Sequence, residues 1–248
     1  MDVGRRAAMA ALLAAGLVPA RTAVAAAAAG PRPPASLLGQ EIRRLPTSRR
    51  VVALTFNTAW DESGLDAVLA ELRRRGAAAT FFPTGLFAKA RPAAVRAMAA
   101  AGHGLGNHSH SHPYFDDLDT EERAREVRTA DAAIRAASGA EPLPFFRFPY
   151  SATTEDSVAD VNGLGYAAIE FTDDTNGYLG PAGGMTVDKV VRRAVAALGP
   201  GAILQMHVGS GKGDGVVLDA QALPRIIEAA LEEEYEVVDL REFLTAAR

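Results

Sequence analysis

VVALTFNTAWDESGLDAVLAELRRRGAAATFF, residues 51–82, changes its period twice. VVALTF (51–56) is a short apolar run of β-branched and aromatic residues and predicts a buried strand. LDAVLAELRRRG (65–76) repeats its apolar residues at helical spacing and stops at a glycine. AATFF (78–82) returns to strand character. A strand, a helix and a strand in 32 residues make one β/α unit, and such units pair their strands in parallel with right-handed crossovers.

The alternation continues outward. PAAVRAMAAAG (92–102) predicts a helix and HGLGNH (103–108) a short extended segment. TEERAREVRTADAAIRAASG (120–139) predicts a long amphipathic helix capped by Thr120. FFRFPY (145–150), YAAIEFT (166–172), AILQMH (202–207) and YEVVDL (235–240) predict strands. SVADVNGLG (157–165), TVDKVVRRAVAALGPG (186–201) and DAQALPRIIEAALEEE (219–234) predict helices, the last broken at Pro224. About seven such units favour closure into a barrel over an open sheet.

Composition bounds the rest. The 248 residues are 48% hydrophobic and 23% charged, enough for one domain with a good core. The net charge of −4 and the absence of a basic stripe argue against nucleic acid. There is no cysteine, so any metal must be held by histidine and carboxylate. Residues 1–25 read as a secretory signal: Arg5 and Arg6, an apolar run, then the small-residue site Ala23-Val24-Ala25. This predicts a secreted or cell-envelope protein, with twin-arginine export as one route and no stable membrane span after signal removal. Residues 26–46 read as a flexible Pro- and Gly-containing linker, leaving 47–248 as the folded domain, taken as a monomer.

The chemistry-bearing residues fall at the C-terminal ends of the expected strands, where parallel α/β folds build their sites. Asn57, Thr58 and Asp61 follow the first strand; His108 and His112 follow the 103–108 segment; Arg147 to Tyr150 end the 145–150 strand. Asp173 and Asp174 follow 166–172, and His207 ends 202–207. GNHSHSHP (106–113) places three of the five histidines within five positions. In a helical turn, His108 and His112 lie on one side, within reach of one ion. In an extended segment His110 joins them. His103 reads as structural.

Four motifs in order now resemble the polysaccharide deacetylases, the NodB-homology class also called family 4 carbohydrate esterases. HSHSH (108–112) is similar to their H-[S/T]-x-x-H metal motif, RFPY (147–150) to R-x-P-[Y/W], DTNGY (174–178) to an aspartate-bearing motif, and LQMH (204–207) to L-x-x-H. The resemblance covers about residues 50–244. It implies a distorted (β/α)7 barrel and a hydrolase that removes N- or O-acetyl groups from a cell-wall or chitin-like polysaccharide. It further implies a divalent ion, Zn2+ with Co2+ or Mn2+ as alternatives, held by His108 and His112. By the same resemblance His207 is the acid that protonates the leaving amine, Asp174 its partner and Arg147 a salt-bridging residue near the base. Pro149, Tyr150 and Leu204 then line the substrate groove.

One motif departs. The family writes T-F-D-D after the first strand, with the first Asp as base and the second as metal ligand; here the stretch is TFNT. The Asn57 amide has no basic lone pair near neutral pH, and the Thr58 hydroxyl is a poor ligand beside a carboxylate. Asp61 in AWDES is the candidate replacement, as third ligand or base, unless it caps the following helix. Trp60, the single tryptophan, lines the groove or packs at the loop base. Three readings follow: an active metal-dependent deacetylase with a rebuilt motif, a glycan-binding protein impaired in turnover, or another C–N hydrolase acting on a small amide.

Overall fold

The computed structural model of the protein describes Met1, residues 32–211 and residues 213–245. The signal expected over 1–25 lies, beyond Met1, outside the described residues. Among the described residues no helix is long and apolar enough to cross a membrane.

The first β/α unit forms as its periods demand. Strand β2 (Val51–Thr58) is buried at all eight positions, as a strand covered on both faces must be. Helix α1 (Leu65–Arg75) buries the stripe Leu65, Val68 and Leu72 and ends at Gly76, whose φ of 61° makes the left-handed cap that glycine adopts without strain. Strand β3 (Thr80–Pro83) pairs in parallel with the end of β2.

The remaining elements are α2 (Gly85–Ala90), α3 (Pro92–Ala100), β4 (Gly104–Leu105), α4 (Thr120–Ser138), β5 (Phe145–Phe146), α5 (Glu155–Gly163), β6 (Ala167–Ile169) and β7 (Asp173–Asp174). After them come α6 (Val187–Ala196), β8 (Ala202–His207), α7 (Leu218–Glu232), β9 (Glu236–Val238) and α8 (Glu242–Thr245). A short strand β1 (Glu41–Ile42) precedes β2. One sheet has the order β4-β3-β2-β8-β7 with β9 on the start of β2; the other has the order β1-β6-β5; every named pairing is parallel. An isolated parallel bridge between Asn107 and Phe146 links the β4 and β5 ends, and β6 runs into β7 on the other side. The result is a distorted (β/α) barrel whose ladder is interrupted rather than continuous.

Strand alternation then sorts the side chains. Val52, Leu54 and Phe56 of β2 and Leu204 and Met206 of β8 pack outward against α1, α3, α4, α6 and α7. Val51, Ala53 and Ile203 face the barrel interior with Phe82, Phe145 and Ile169. Asn57, Gln205 and His207 continue that inner face upward into the site.

Three expectations are corrected. Residues from 35 to 45 are not a linker: Leu37, Ile42 and Leu45 are buried, and β1 pairs with β6. Burying those apolar side chains outweighs the loose composition around them. Asp119, not Thr120, caps α4, in a capping box with Glu122. Helix α7 is not broken at Pro224, because its face Ala222, Leu223, Ile226, Ile227 and Ala230 is buried; that burial offsets the cost of about 3 kcal/mol for an interior proline.

Candidate functional site

A cleft of about 530 Å³ opens at the C-terminal ends of the strands. It is lined by Asn57, Trp60, Asp61, His108, His112, Tyr150, Asp174, Gln205 and His207, with Phe148, Phe171 and Tyr178 among its walls.

Its floor is a chain of hydrogen bonds. Arg147, 0% exposed, donates through Nη1 to Thr55 Oγ1 and Asn57 Oδ1, through Nε to the Ile169 carbonyl and through Nη2 to the Glu170 carbonyl. Burial pushes its guanidinium down to about 10, so it stays cationic at neutral pH. Asn57 Nδ2 donates to Gln205 Oε1 at 3.1 Å, and Gln205 Nε2 donates to Asp174 Oδ2 at 2.8 Å. The expected Arg147 salt bridge at the base position is therefore a bond to a neutral amide. Glu170 is buried beneath, its oxygens accepting from the Phe148 N–H and the Ser151 hydroxyl, and burial raises its carboxyl.

His108 and His112 do meet. Their rings lie 4.8 Å apart at 82°. The segment is neither helix nor strand: Ser109 and His112 take left-handed φ of 66° and 63° and fold the chain back on itself. His108 Nδ1 donates to the Arg147 carbonyl at 2.8 Å, leaving Nε2 as its free nitrogen. His112 Nδ1 is buried without a hydrogen-bond partner. Burial holds the His108 imidazolium well below its ordinary range and pushes His112 down to about 4. His110 is elsewhere, its Nδ1 against the Gly85 backbone at the start of α2.

Asp61 lines the cleft but does not join the pair. One oxygen accepts from the Ser63 N–H and hydroxyl, the other from the Ser210 N–H at 2.9 Å. It staples the loop after β2 to the loop after β8, and Gly64 rather than Asp61 stands at the N-cap of α1. Thr58 is fully buried, its hydroxyl 3.4 Å from the Phe56 carbonyl. Among the described residues no three His, Asp or Glu side chains are grouped to hold a metal ion. A catalytic zinc takes three protein ligands, and this donor set supplies two.

The walls are aromatic. Trp60 is 60% exposed with its ring 5.3 Å from His112; Tyr150 lies 4.6 Å from His112 on another side and stacks at 4.1 Å on Tyr114. Two groove expectations are corrected. Leu204 is buried among the outer helices because it alternates with Gln205, and Pro149 is buried outside the lining. Sequence reasoning missed Gln205, Tyr114 and Asp219. Gln205 alone had a signal, a polar residue in an apolar strand.

All five histidines are held below their ordinary value, burial being the largest cause for each. Folding therefore opposes their protonation: the stability they support is present above pH 6.5 and is lost as pH falls toward 4. Glu170, Asp173 and Asp219 are raised by burial and act in the opposite sense over this range. His112→Gln isolates one contribution. Denaturant unfolding with chelator should show the wild type losing about 2 kcal/mol more than the variant between pH 7 and 4.5. Parallel losses would contradict this.

The sequence profile of the polysaccharide deacetylases matches residues 44–169. The chitooligosaccharide deacetylase of Bradyrhizobium sp. (strain ANU 289) is 33% identical over 165 residues, 66% of this chain and 74% of that protein. The crystal structure of a CE4 family pseudoenzyme from Bacillus anthracis superposes with a TM-score of 0.75 at 25% identity, covering 83% of this chain and 69% of that one. A mutant of it, described as having restored enzymatic activity, matches with a TM-score of 0.75 at 26% identity over 83% of this chain and 71% of its own. On the profile match and these likenesses together, the chain belongs to the polysaccharide deacetylase family.

Proposed function

We propose that the chain takes an N-acetylated oligo- or polysaccharide into this cleft and that its removal of acetyl groups is strongly impaired. The carrying observation is the end of β2: Asn57 and Thr58 close the strand, and the carboxylate of Asp61 in the loop beyond is bonded to Ser63 and Ser210. Hydrolysis of an acetamide needs a group that accepts a proton from water. Asn57 cannot, and both oxygens of Asp174 accept bonds, from Asn176 N–H and Gln205 Nε2. The relative named for chitooligosaccharides and the exposed aromatic rings support a glycan as ligand, since sugar faces stack on such rings. Export by the N-terminal sequence would bring the cleft to cell-wall glycan.

A second reading, a metal-dependent deacetylase with a rebuilt first motif, is favoured by the His108–His112 pair and the unpartnered His112 Nδ1. A bound divalent ion would supply a polarised carbonyl and an activated water.

Calorimetry with N-acetylglucosamine oligomers, with zinc and with chelator, tests both readings beside an acetate-release assay. Binding is expected in both conditions, with acetate release far below 1 per second. Trp60→Ala and Tyr150→Ala should each weaken binding about 3- to 10-fold, the worth of one stacked ring. Acetate release near 1 per second or faster with zinc would establish the second reading. Absence of oligomer binding would defeat the first.

A further inference from the structure

Asp219, in the first turn of α7, is 0% exposed and lies directly behind the cleft. Its Oδ1 accepts from the Thr175 hydroxyl at 2.6 Å, and its Oδ2 accepts from the backbone N–H of His207 at 2.9 Å. The same Oδ2 is 3.9 Å from His207 Nδ1. That ring nitrogen is buried and has no hydrogen-bond partner. A Cβ on Gly177 would come within 2.2 Å of Asp219 Oδ1, so the carboxylate fills space that only a glycine at 177 leaves open. His207 lines the cleft, and its buried nitrogen is Nδ1, so Nε2 is on the cleft side.

The other charged or titratable groups around the ring are Asp174 from β7, Arg147 beyond β5, and His108 and His112, while the Tyr178 ring packs at 4.6 Å. Asp174 is committed to Asn176 and Gln205. We propose that Asp219, not Asp174, is the positioning residue of His207: it holds the ring proton on Nδ1 and turns the Nε2 lone pair to the cleft, as an acceptor for the N–H of a bound acetamide. A slight rotation of the ring closes the 3.9 Å gap. Burial pushes Asp219 up to about 7 and His207 down to about 4, so above pH 7 the carboxylate is charged and the imidazole neutral. Only the identity of the acetamide rests on the proposed function; the placement of the ring proton does not.

The test is the nitrogen NMR spectrum of histidine-labelled protein at pH 8 without added metal. It reads directly which ring nitrogen is protonated. His207→Gln assigns the signal. The wild type is expected to show His207 with its proton on Nδ1. Asp219→Asn keeps one oxygen, for either Thr175 or the His207 N–H, turns an NH2 toward the other and removes the charge, and should change the ratio of the two tautomers at least tenfold. Gly177→Ala keeps the charge but displaces the carboxylate, and should do the same. Asp174→Asn should leave the ratio within twofold. A wild-type proton on Nε2 overturns the proposal by itself, whatever the variants do. A ratio that follows Asp174→Asn, or that neither Asp219→Asn nor Gly177→Ala changes, also overturns it. Failure of oligomer binding would leave this spectrum unchanged, which separates the two readings.

Discussion

Replacing Asn57 and Thr58 together by aspartate is expected to raise acetate release from N-acetylglucosamine oligomers at least 100-fold. A positioned general base contributes about 10²–10⁴ in rate, and the wild-type floor holds an amide where such a base would stand. The site is ready for Asn57→Asp. Arg147 Nη1 already reaches the residue 57 oxygen at 3.1 Å and would donate to a carboxylate there. Gln205 is less accommodating, because its one amide accepts from Asn57 and donates to Asp174. With aspartate at 57 that oxygen faces another acceptor, so the amide must turn and serve one carboxylate or the other. The resulting repulsion raises the new carboxyl, which suits a base working near neutral pH. By the family motif Thr58→Asp supplies a carboxylate as third donor to the ion expected at His108 and His112, and metal analysis should then find close to one zinc per chain, against much less in wild type. Each single change alone should recover far less than the pair. A gain below tenfold, with zinc bound at full occupancy, would mean that the first-strand residues are not what limits this protein.

What could be read in the sequence depended on how local its cause is. Strands β2 and β8 are long apolar runs and α1 and α4 carry full helical periods, so their positions follow from spacing. Strands β4 and β5 are two-residue cores of the longer extended stretches expected at 103–108 and 145–150, while β1 and β7, also two residues each, are too short for any period to register. Helix α2 has six residues and was hidden for the same reason. The His108–His112 pair was legible because four-residue spacing keeps two side chains close in most backbones, although the backbone used here is a left-handed turn. Asp61 was not legible: its orientation is set by Ser210, 149 positions away, and nothing near Asp61 signals that partner. Asp219 is the same case, a helix-start residue by sequence and a neighbour of the site only because the chain passes behind His207.

Arg147→Met is expected to lower the melting temperature by on the order of 10 °C. The side chain is fully buried and makes four donations that nothing else replaces. Its loss leaves the carbonyls of Ile169 and Glu170, Thr55 Oγ1 and Asn57 Oδ1 short of a donor inside the barrel, and leaves the buried Glu170 without its nearby cation. Removing one member of such a buried set costs about 3–5 kcal/mol. For a chain of this size each kcal/mol lowers the midpoint by roughly 2–4 °C. Arg147→Lys should recover little, since one ammonium cannot span acceptors that a planar fork reaches, nor lie over the Phe82 ring at 4.3 Å as the guanidinium does. The charge component is separable: adding Glu170→Gln to Arg147→Met should lower the midpoint by clearly less than the two single losses summed, because the second change removes the carboxyl that the first left unpaired. Additive losses would show that Arg147 acts through its hydrogen bonds alone. A shift below 3 °C for Arg147→Met would show that the barrel floor does not depend on it, and the matched chain from Arg147 through Asn57 and Gln205 to Asp174 would lose its role in holding the cleft.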